Sequence, residues 1–413
     1  MGFLQDNGLD PQSLDAEAIL KDFREEMGRG LAGQGALPMI PASFPLRGDL
    51  PKEREIPAFD VGGTNIRSAR VRFNAQGEPT VLNQLRGFMP GSRGPVDHDT
   101  FYRVLCDVLL PNVRPGDTVG YCFSYPVDEL GRLLFWSKNI QAPSIVGSNV
   151  THGLEEALAA RGVDCQVRTL NDTVAALLAA YAHCSDEPLA GYVGFILGTG
   201  TNTAYAEAVE RIVKAPGLPR GCHIPVNCES GNFTRFPRSR FDDRYESSNG
   251  NGRAQWERCI SGVHLGPLGT EILHAAAEAG LFSPGVRDAL LSRTFTNVEL
   301  DGFCSGKTPD VLYCTADEAR TVRALICPMY ERAAKFAAIN VAAAALRSAE
   351  ARDMRSGTFR INADGSTFWK TACVPFVDIA RAQLDALLKP RGFSYDIVRI
   401  DDAPLIGAAL AAH

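Results

Sequence analysis

The stretch from Ile56 to Val71, IPAFDVGGTNIRSARV, constrains this chain more than any other. Ile56 to Val61 has the length and apolar content of a short buried strand, and Ile66 to Phe73 alternates like a second one. Between them Gly62 and Gly63 are expected to make a tight turn, because glycine accepts positive φ without a steric penalty. Thr64 and Asn65 add side-chain donors beside backbone N–H groups freed by the turn, and Asp60 closes the first strand. A carboxylate, a glycine turn and a hydroxyl at this spacing suit a Mg²⁺–phosphate group. Amides face the phosphate and the carboxylate faces the metal's waters. An ordinary hairpin with a polar turn has the same letters, so this stretch alone leaves both readings open.

A second stretch repeats the logic. From Gly191 to Glu207 (GYVGFILGTGTNTAYAE) a strand runs into Gly198, Thr199, Gly200, Thr201 and Asn202 and then into another strand. It is not a dinucleotide fingerprint, because GTGTNT lacks the third glycine and leads to a strand rather than a helix. Two such hairpins suggest two related halves closing over one polyphosphate. Phe359 to Ala363 is a further strand, running into Asp364, Gly365 and Ser366.

The rest of the chain supplies the frame. Ser13 is expected to cap a first helix carrying Ile19, Leu20, Phe23, Met27 and Leu31 on one face. Asp97 to Leu110 reads as helix, Thr118 to Ser124 as a buried strand, and the segment around Trp136, Ser137 and Lys138 as the end of a short strand. Thr151 to Arg161 reads as a helix closed by Gly162. Cys165 to Leu170 is a strand followed at once by a helix starting at Asn171. The partial positive charge of a helix N-terminus suits Asp172 there, although an Asx at such a place can also be a simple cap. The polar run after Glu229, up to Asn251, reads as a solvated loop. Glu257 falls on a helix, and Val322 to Ala351 is a long alanine-rich helix entered or kinked at Pro328. The chain closes on a short last helix.

With 413 residues there is room for two or three units with their own cores. A formal net charge of −6 argues against general affinity for nucleic acid or anionic membranes. No run approaches the roughly 18 apolar residues of a membrane span. The opening MGFLQDNGLD lacks the basic and apolar regions of a secretion signal, and Asp6 stands where a myristoylation signal has Ser or Thr. Eleven cysteines show no CxxC pair and no metal-type spacing with the seven histidines, which sets the expectation of reduced thiols in a cytoplasmic protein.

Taken in order, these pieces resemble the hexokinase family of sugar kinases, within the actin-like ATPase superfamily. The family's LDxGGTNxR motif is similar to Phe59–Arg67, its FSYP and WTKGF segments to Phe123–Pro126 and Trp136–Ile140, and its NDTV motif is matched by Asn171–Val174. GTGxN matches Gly198–Asn202, NxExGxF is similar to Asn227–Phe233, YEKxxxGxxLG to Trp256–Gly266, and DGS matches Asp364–Ser366.

The resemblance implies an α/β, two-domain actin-like ATPase (ribonuclease H-like) fold with an interdomain cleft. Residues 1–55 would hold the N-terminal helix and connector of the large domain, 56–170 the small domain, 171–402 the large domain, and 403–413 a helix returning to the small domain. It implies a sugar site from Ser124, Ser137, Lys138, Asn171, Asp172, Asn202, Glu229 and Glu257, with Asp172 as general base and Lys138 as a second catalytic group. ATP would be held by Gly62, Gly63, Thr64, Asn65, Arg67, Gly198, Thr199, Gly200, Asp364, Gly365 and Ser366, and Asp60 would hold Mg²⁺ through water.

The implied activity is ATP-dependent phosphorylation of the 6-hydroxyl of glucose or a related hexose. A hexose sensor of the same fold and an amino-sugar kinase are the alternatives. The chain departs from the family at Ser137, Asn139, Ile140, Ser230, Asn232, Pro404 and Leu405, which leaves closure of the sugar loop and the late nucleotide contacts open. Preferred hexose and oligomeric state are open as well.

Overall fold

The computed structural model describes residues 2–46, 49–128, 130–136, 138–183 and 189–413. Among the described residues, eleven strands make two sheets: β1 (Ile40–Pro41), β2 (Arg54–Val61), β3 (Asn65–Phe73), β4 (Pro79–Phe88), β5 (Thr118–Phe123), β6 (Gln166–Leu170), β7 (Gly191–Leu197), β8 (Thr201–Ala208), β9 (His223–Asn227), β10 (Gly357–Asp364) and β11 (Phe393–Val398). One sheet runs β4-β3-β2-β5-β6 and the other β1-β9-β8-β7-β10-β11. In each, three consecutive antiparallel strands (β4-β3-β2 and β9-β8-β7) are continued by two parallel ones, and β1 adds a short antiparallel edge to the second sheet. The two halves suggested by the paired hairpins are therefore present as two sheets of matching strand order. Both are α/β, with helices in the crossovers.

Each sheet supplies one helix to a central joint. Asp172–Ala182 packs on β7, β8 and β10, while Ala403–Ala411 packs on β2, β3 and β5, and the two helices lie against each other. Their meeting faces are small. A Cβ on Gly120 of β5 would fall 1.8 Å from the Ala408 carbonyl oxygen, and one on Gly407 would fall 2.1 Å from that of Ala175. Ile56, Ala58, Val174, Leu177, Leu405 and Ala408 belong to the apolar cluster that fills this joint. Phe59 and Val61 face the other side of the same sheet. The period-2 alternation of β2 then sends Asp60 toward the joint, on the face of Ile56 and Ala58.

Several expectations change. Ser13 does not cap the first long helix; Asp15 does, accepting from the Ala18 N–H, and the helix runs Ala16–Leu31. The apolar face of Ile19, Leu20, Phe23, Met27 and Leu31 is buried as expected. Among the described residues, the segment leading to Trp136 forms no strand and makes only the isolated bridges Val127↔Leu133 and Arg132↔Asn149.

The polar run before Asn251 contains the helix Arg240–Asn249, entered through a Ser239–Asp242 capping box. Its polar composition hid two anchors one turn apart, Phe241 and Tyr245, both buried. Asp242 forms a buried bidentate pair with Arg332 of the long helix Ala316–Ala351, at 2.7 Å for each contact. Neither Gly62 nor Gly63 has positive φ, so that turn does not need glycine for backbone freedom. Among the described residues no helix is long and apolar enough to cross a membrane.

Candidate active site

The first hairpin is organised by charge. Asp60 Oδ2 accepts from Arg67 Nε at 2.9 Å and from Nη2 at 2.8 Å, while Arg67 Nη1 donates to Asp402 Oδ1 at 2.7 Å. Gln84 donates to the same Asp402 oxygen at 3.0 Å. Asp402 sits in the left-handed region at φ 53° and precedes the C-terminal helix, so the hairpin is tied to the joint. Burial raises the pKa of Asp60; Arg67 opposes that rise and the Asp172 carboxylate adds to it.

At the turn, Tyr125 donates to the Gly62 carbonyl at 3.0 Å, and the Lys138 ammonium lies 5.3 Å from the Tyr125 ring centre. A Cβ on Gly63 would meet the Lys138 side chain at 2.3 Å. Close approach of this lysine is what Gly63 permits. Thr64 and Asn65 are exposed beside it.

The second hairpin is organised by backbone. Gly198 N–H donates to the Gly200 carbonyl at 2.9 Å, and the Gly198 carbonyl accepts from Gly262 N–H and Thr367 Oγ1, both at 2.8 Å. Val263 N–H donates to the Thr199 carbonyl at 3.1 Å. The Asp364–Ser366 turn closes against it. Gly365 has φ 114°, and a Cβ there would come within 2.2 Å of the Leu197 carbonyl oxygen. Two segments more than 160 residues apart thus form one glycine-lined surface that carries the exposed residues Thr199 and Ser366, whose hydroxyls can donate to a phosphate oxygen.

Between the hairpins gathers a set of carboxylates and amides. Asn202 Nδ2 donates to Asn227 Oδ1 at 2.6 Å and lies 3.5 Å from Glu229 Oε1, and Asn227 Nδ2 donates to that oxygen at 2.8 Å. Glu229 holds φ 51°, a left-handed conformation costly for a non-glycine residue, which places its side chain in the cluster. Glu257 accepts from the Thr201 N–H at 2.8 Å and so joins the cluster to the second hairpin.

Burial pushes both Glu229 and Glu257 above the usual carboxylate range. Asp172 contributes to the rise at Glu229, and Glu229 to that at Glu257. Asp172 opens its helix after Asn171, whose side chain accepts from the Thr173 N–H at 2.8 Å. It is close enough to interact electrostatically with both Asp60 and Glu229. An acceptor-rich cluster of this kind is matched by a ligand rich in hydroxyl donors.

Asp172, Asn202, Glu229 and Glu257 therefore converge. Ser124 stands by the first hairpin instead, its N–H donating to the Val61 carbonyl at 3.2 Å, and Lys138 stands there too, at Gly63. Ser137 lies outside the described residues. Sequence reasoning did not single out Asn227 or Asp402. The first lay within a quoted motif, whereas the second had no local signal.

A family model described as hexokinase matches residues 192–413, and a second of the same description matches residues 3–182. Hexokinase-3 of Rattus norvegicus is 27% identical over 381 residues, covering 85% of this chain and 40% of that protein. Hexokinase-1 of Saccharomyces cerevisiae is 27% identical over 395 residues, covering 85% and 78%. This chain thus spans well under half the length of the mammalian relatives it matches. Among solved structures, a hexokinase from Schistosoma mansoni complexed with glucose superposes with TM-score 0.78 at 23% identity, covering 100% and 98% of the chains. The ROK hexokinase from Thermus thermophilus gives TM-score 0.53 at 16% identity, covering 87% and 97%.

Proposed function

The chain belongs to the hexokinase family, and from that premise we propose that it transfers the γ-phosphoryl group of ATP to the 6-hydroxyl of a hexose, glucose foremost. The observation that carries the reading is the place of Asp172. Its charge raises the pKa of both Asp60, of the first hairpin, and Glu229, of the hydroxyl-binding cluster. A base for phosphoryl transfer has to stand between the phosphate loops and the hydroxyl cluster.

In this reading Asn202, Glu229 and Glu257 hold sugar hydroxyls, joined by Asn171, Ser124, Ser137 and Lys138 as the cleft closes. Buried acceptors of this kind reject ligands that lack the matching hydroxyl. Asp172 takes the proton of the primary hydroxyl as that oxygen attacks phosphorus, and the bond to the leaving ADP oxygen breaks. Lys138, set over Tyr125 at the first turn, faces the transferring group and steadies its charge. Gly62 to Asn65 and Gly198 to Gly200 line the phosphates, with Asp364 to Ser366 toward the nucleoside.

The donor set at Asp60 fits Mg²⁺ held at one remove. Arg67 occupies one carboxylate oxygen with two donors, and among the described residues no three His, Cys, Asp or Glu stand so that they could hold an ion directly. When bound, the ion supplies charge neutralisation on the phosphates. Residues 56–170 with 403–413 form the smaller domain of this reading, and 1–55 with 171–402 the larger.

The test is ATP- and Mg²⁺-dependent phosphorylation of glucose, mannose, fructose and N-acetylated hexosamines, with Asp172→Asn beside the native protein. Turnover falling by about 10²–10⁴ in a folded variant supports the reading. Hexose binding without transfer by the native protein sinks it and leaves a sensor.

A further inference from the structure

Behind Glu257 lies a polar pair that the proposed reaction does not use. Tyr245, on the helix Arg240–Asn249, is buried, and its hydroxyl lies 2.7 Å from Nδ1 of His264. His264 belongs to the helix Gly262–Glu278, which follows the short helix Gln255–Ile260 that carries Glu257, and its Nε2 lies 3.9 Å from Glu257 Oε1. The other Glu257 oxygen is already held by the Thr201 N–H. We propose that His264, oriented by Tyr245, is a positioning residue that aims the Glu257 carboxylate at the sugar. The inference rests on the functional reading above.

The tautomer follows from the neighbours. A carboxylate facing Nε2 favours a proton on that nitrogen, so the Tyr245 hydroxyl donates to Nδ1. The Nε2–H dipole then points at Glu257 Oε1. At 3.9 Å this is orientation rather than a direct hydrogen bond. Thr201 and His264 together fix the plane of the carboxylate from its two oxygens.

The charged groups around the pair are Glu246 and Arg258, which form an ion pair at 3.2 Å. The Arg258 guanidinium lies 5.5 Å from the Tyr245 ring centre. Burial, with Arg258 adding, pulls His264 down to about 4, so the ring is neutral in neutral solution. Glu257 also feels Glu229 and Arg258. Losing the Nε2–H dipole removes a partner of its ionised form, so protonation of Glu257 begins at higher pH and sugar affinity fails earlier on acidification.

A filler with no role in orientation would not need both polar ends. The experiment uses the full chain with His264→Phe, Tyr245→Phe, the double variant and His264→Gln. Sugar KM and kcat are followed against pH, and glucose binding is measured by calorimetry. The expected result for His264→Phe is a sugar KM about three- to tenfold higher, an acid limb displaced to higher pH, and kcat at saturating sugar nearly intact. Tyr245→Phe, which keeps the ring packing, shifts both in the same direction by less. The double variant is no worse than His264→Phe, and His264→Gln recovers part of the loss.

Unchanged sugar affinity and acid limb in folded His264→Phe or Tyr245→Phe overturn the inference, as do additive single effects. Should the native protein bind glucose yet transfer nothing, the kinase reading falls, and the calorimetric comparison still decides on His264.

Discussion

The two glycine hairpins look alike in sequence and are held in different ways. Around β2–β3 the fixed points are charges: Asp60, Arg67 and Asp402, with Lys138 laid across Gly63. Around β7–β8 the fixed points are backbone groups, with Gly198, Thr199, Gly262 and Gly365 in contact. The first arrangement tolerates added volume and is sensitive to lost charge; the second is the reverse. In the proposed reading, a polyphosphate between them would be met by one electrostatically tuned loop and one sterically fixed loop.

Gly365→Ala attacks the steric loop and carries the largest expected effect. The new methyl group has both a positive φ and a carbonyl oxygen 2.2 Å away to contend with, for a loss of about 3 kcal/mol in denaturant unfolding and a higher KM for ATP. Arg67→Met attacks the charged loop. It leaves Asp60 buried with its strongest counter-charge gone, and because Arg67 keeps some exposure, the expected loss is about 1–3 kcal/mol.

The sign with pH is specific. Asp60 already has a raised pKa, and without Arg67 it rises further. The variant therefore loses least in acid, where Asp60 takes up a proton, and progressively more as pH climbs through the folded-state pKa. Unfolding curves across pH check this, and a pH-independent deficit contradicts the electrostatic account. Gly63→Ala is the smallest. Its φ is ordinary and its obstacle is the flexible Lys138 chain, so stability should change by less than about 1 kcal/mol while phosphoryl transfer slows as Lys138 shifts. If it unfolds the protein as readily as Gly365→Ala does, the contrast between the hairpins is wrong.

Local patterns made much of this legible. Both hairpins, the Asn171 cap with Asp172 behind it, and the long alanine helix follow from alternation, glycine placement and capping chemistry within a dozen residues. What escaped depends on partners far along the chain. Asp402 matters because Arg67, 335 positions away, reaches it. The helix Arg240–Asn249 is polar nearly throughout and is fixed by Asp242 on Arg332, 90 positions away. His264 needed Tyr245 and Glu257 around it before it read as anything but a helix residue. The expectation of positive φ at Gly62 and Gly63 failed because a glycine in a turn has two physical uses, and here close approach is the one in force.

The joint between the sheets carries a last consequence. Asp172 rides on the helix seated on one sheet, and Asp60 belongs to the other, so the gap between them is set where Gly407 meets Ala175 and Gly120 meets Ala408. The atoms nearest those two glycines are alanine backbone. Yet a displacement of about 1 Å at a reacting centre can cost roughly a hundredfold in rate. The reach of the proposed base is thus calibrated by two absent side chains, and one methyl group inserted into that seam would act as a shim that holds base and phosphate apart.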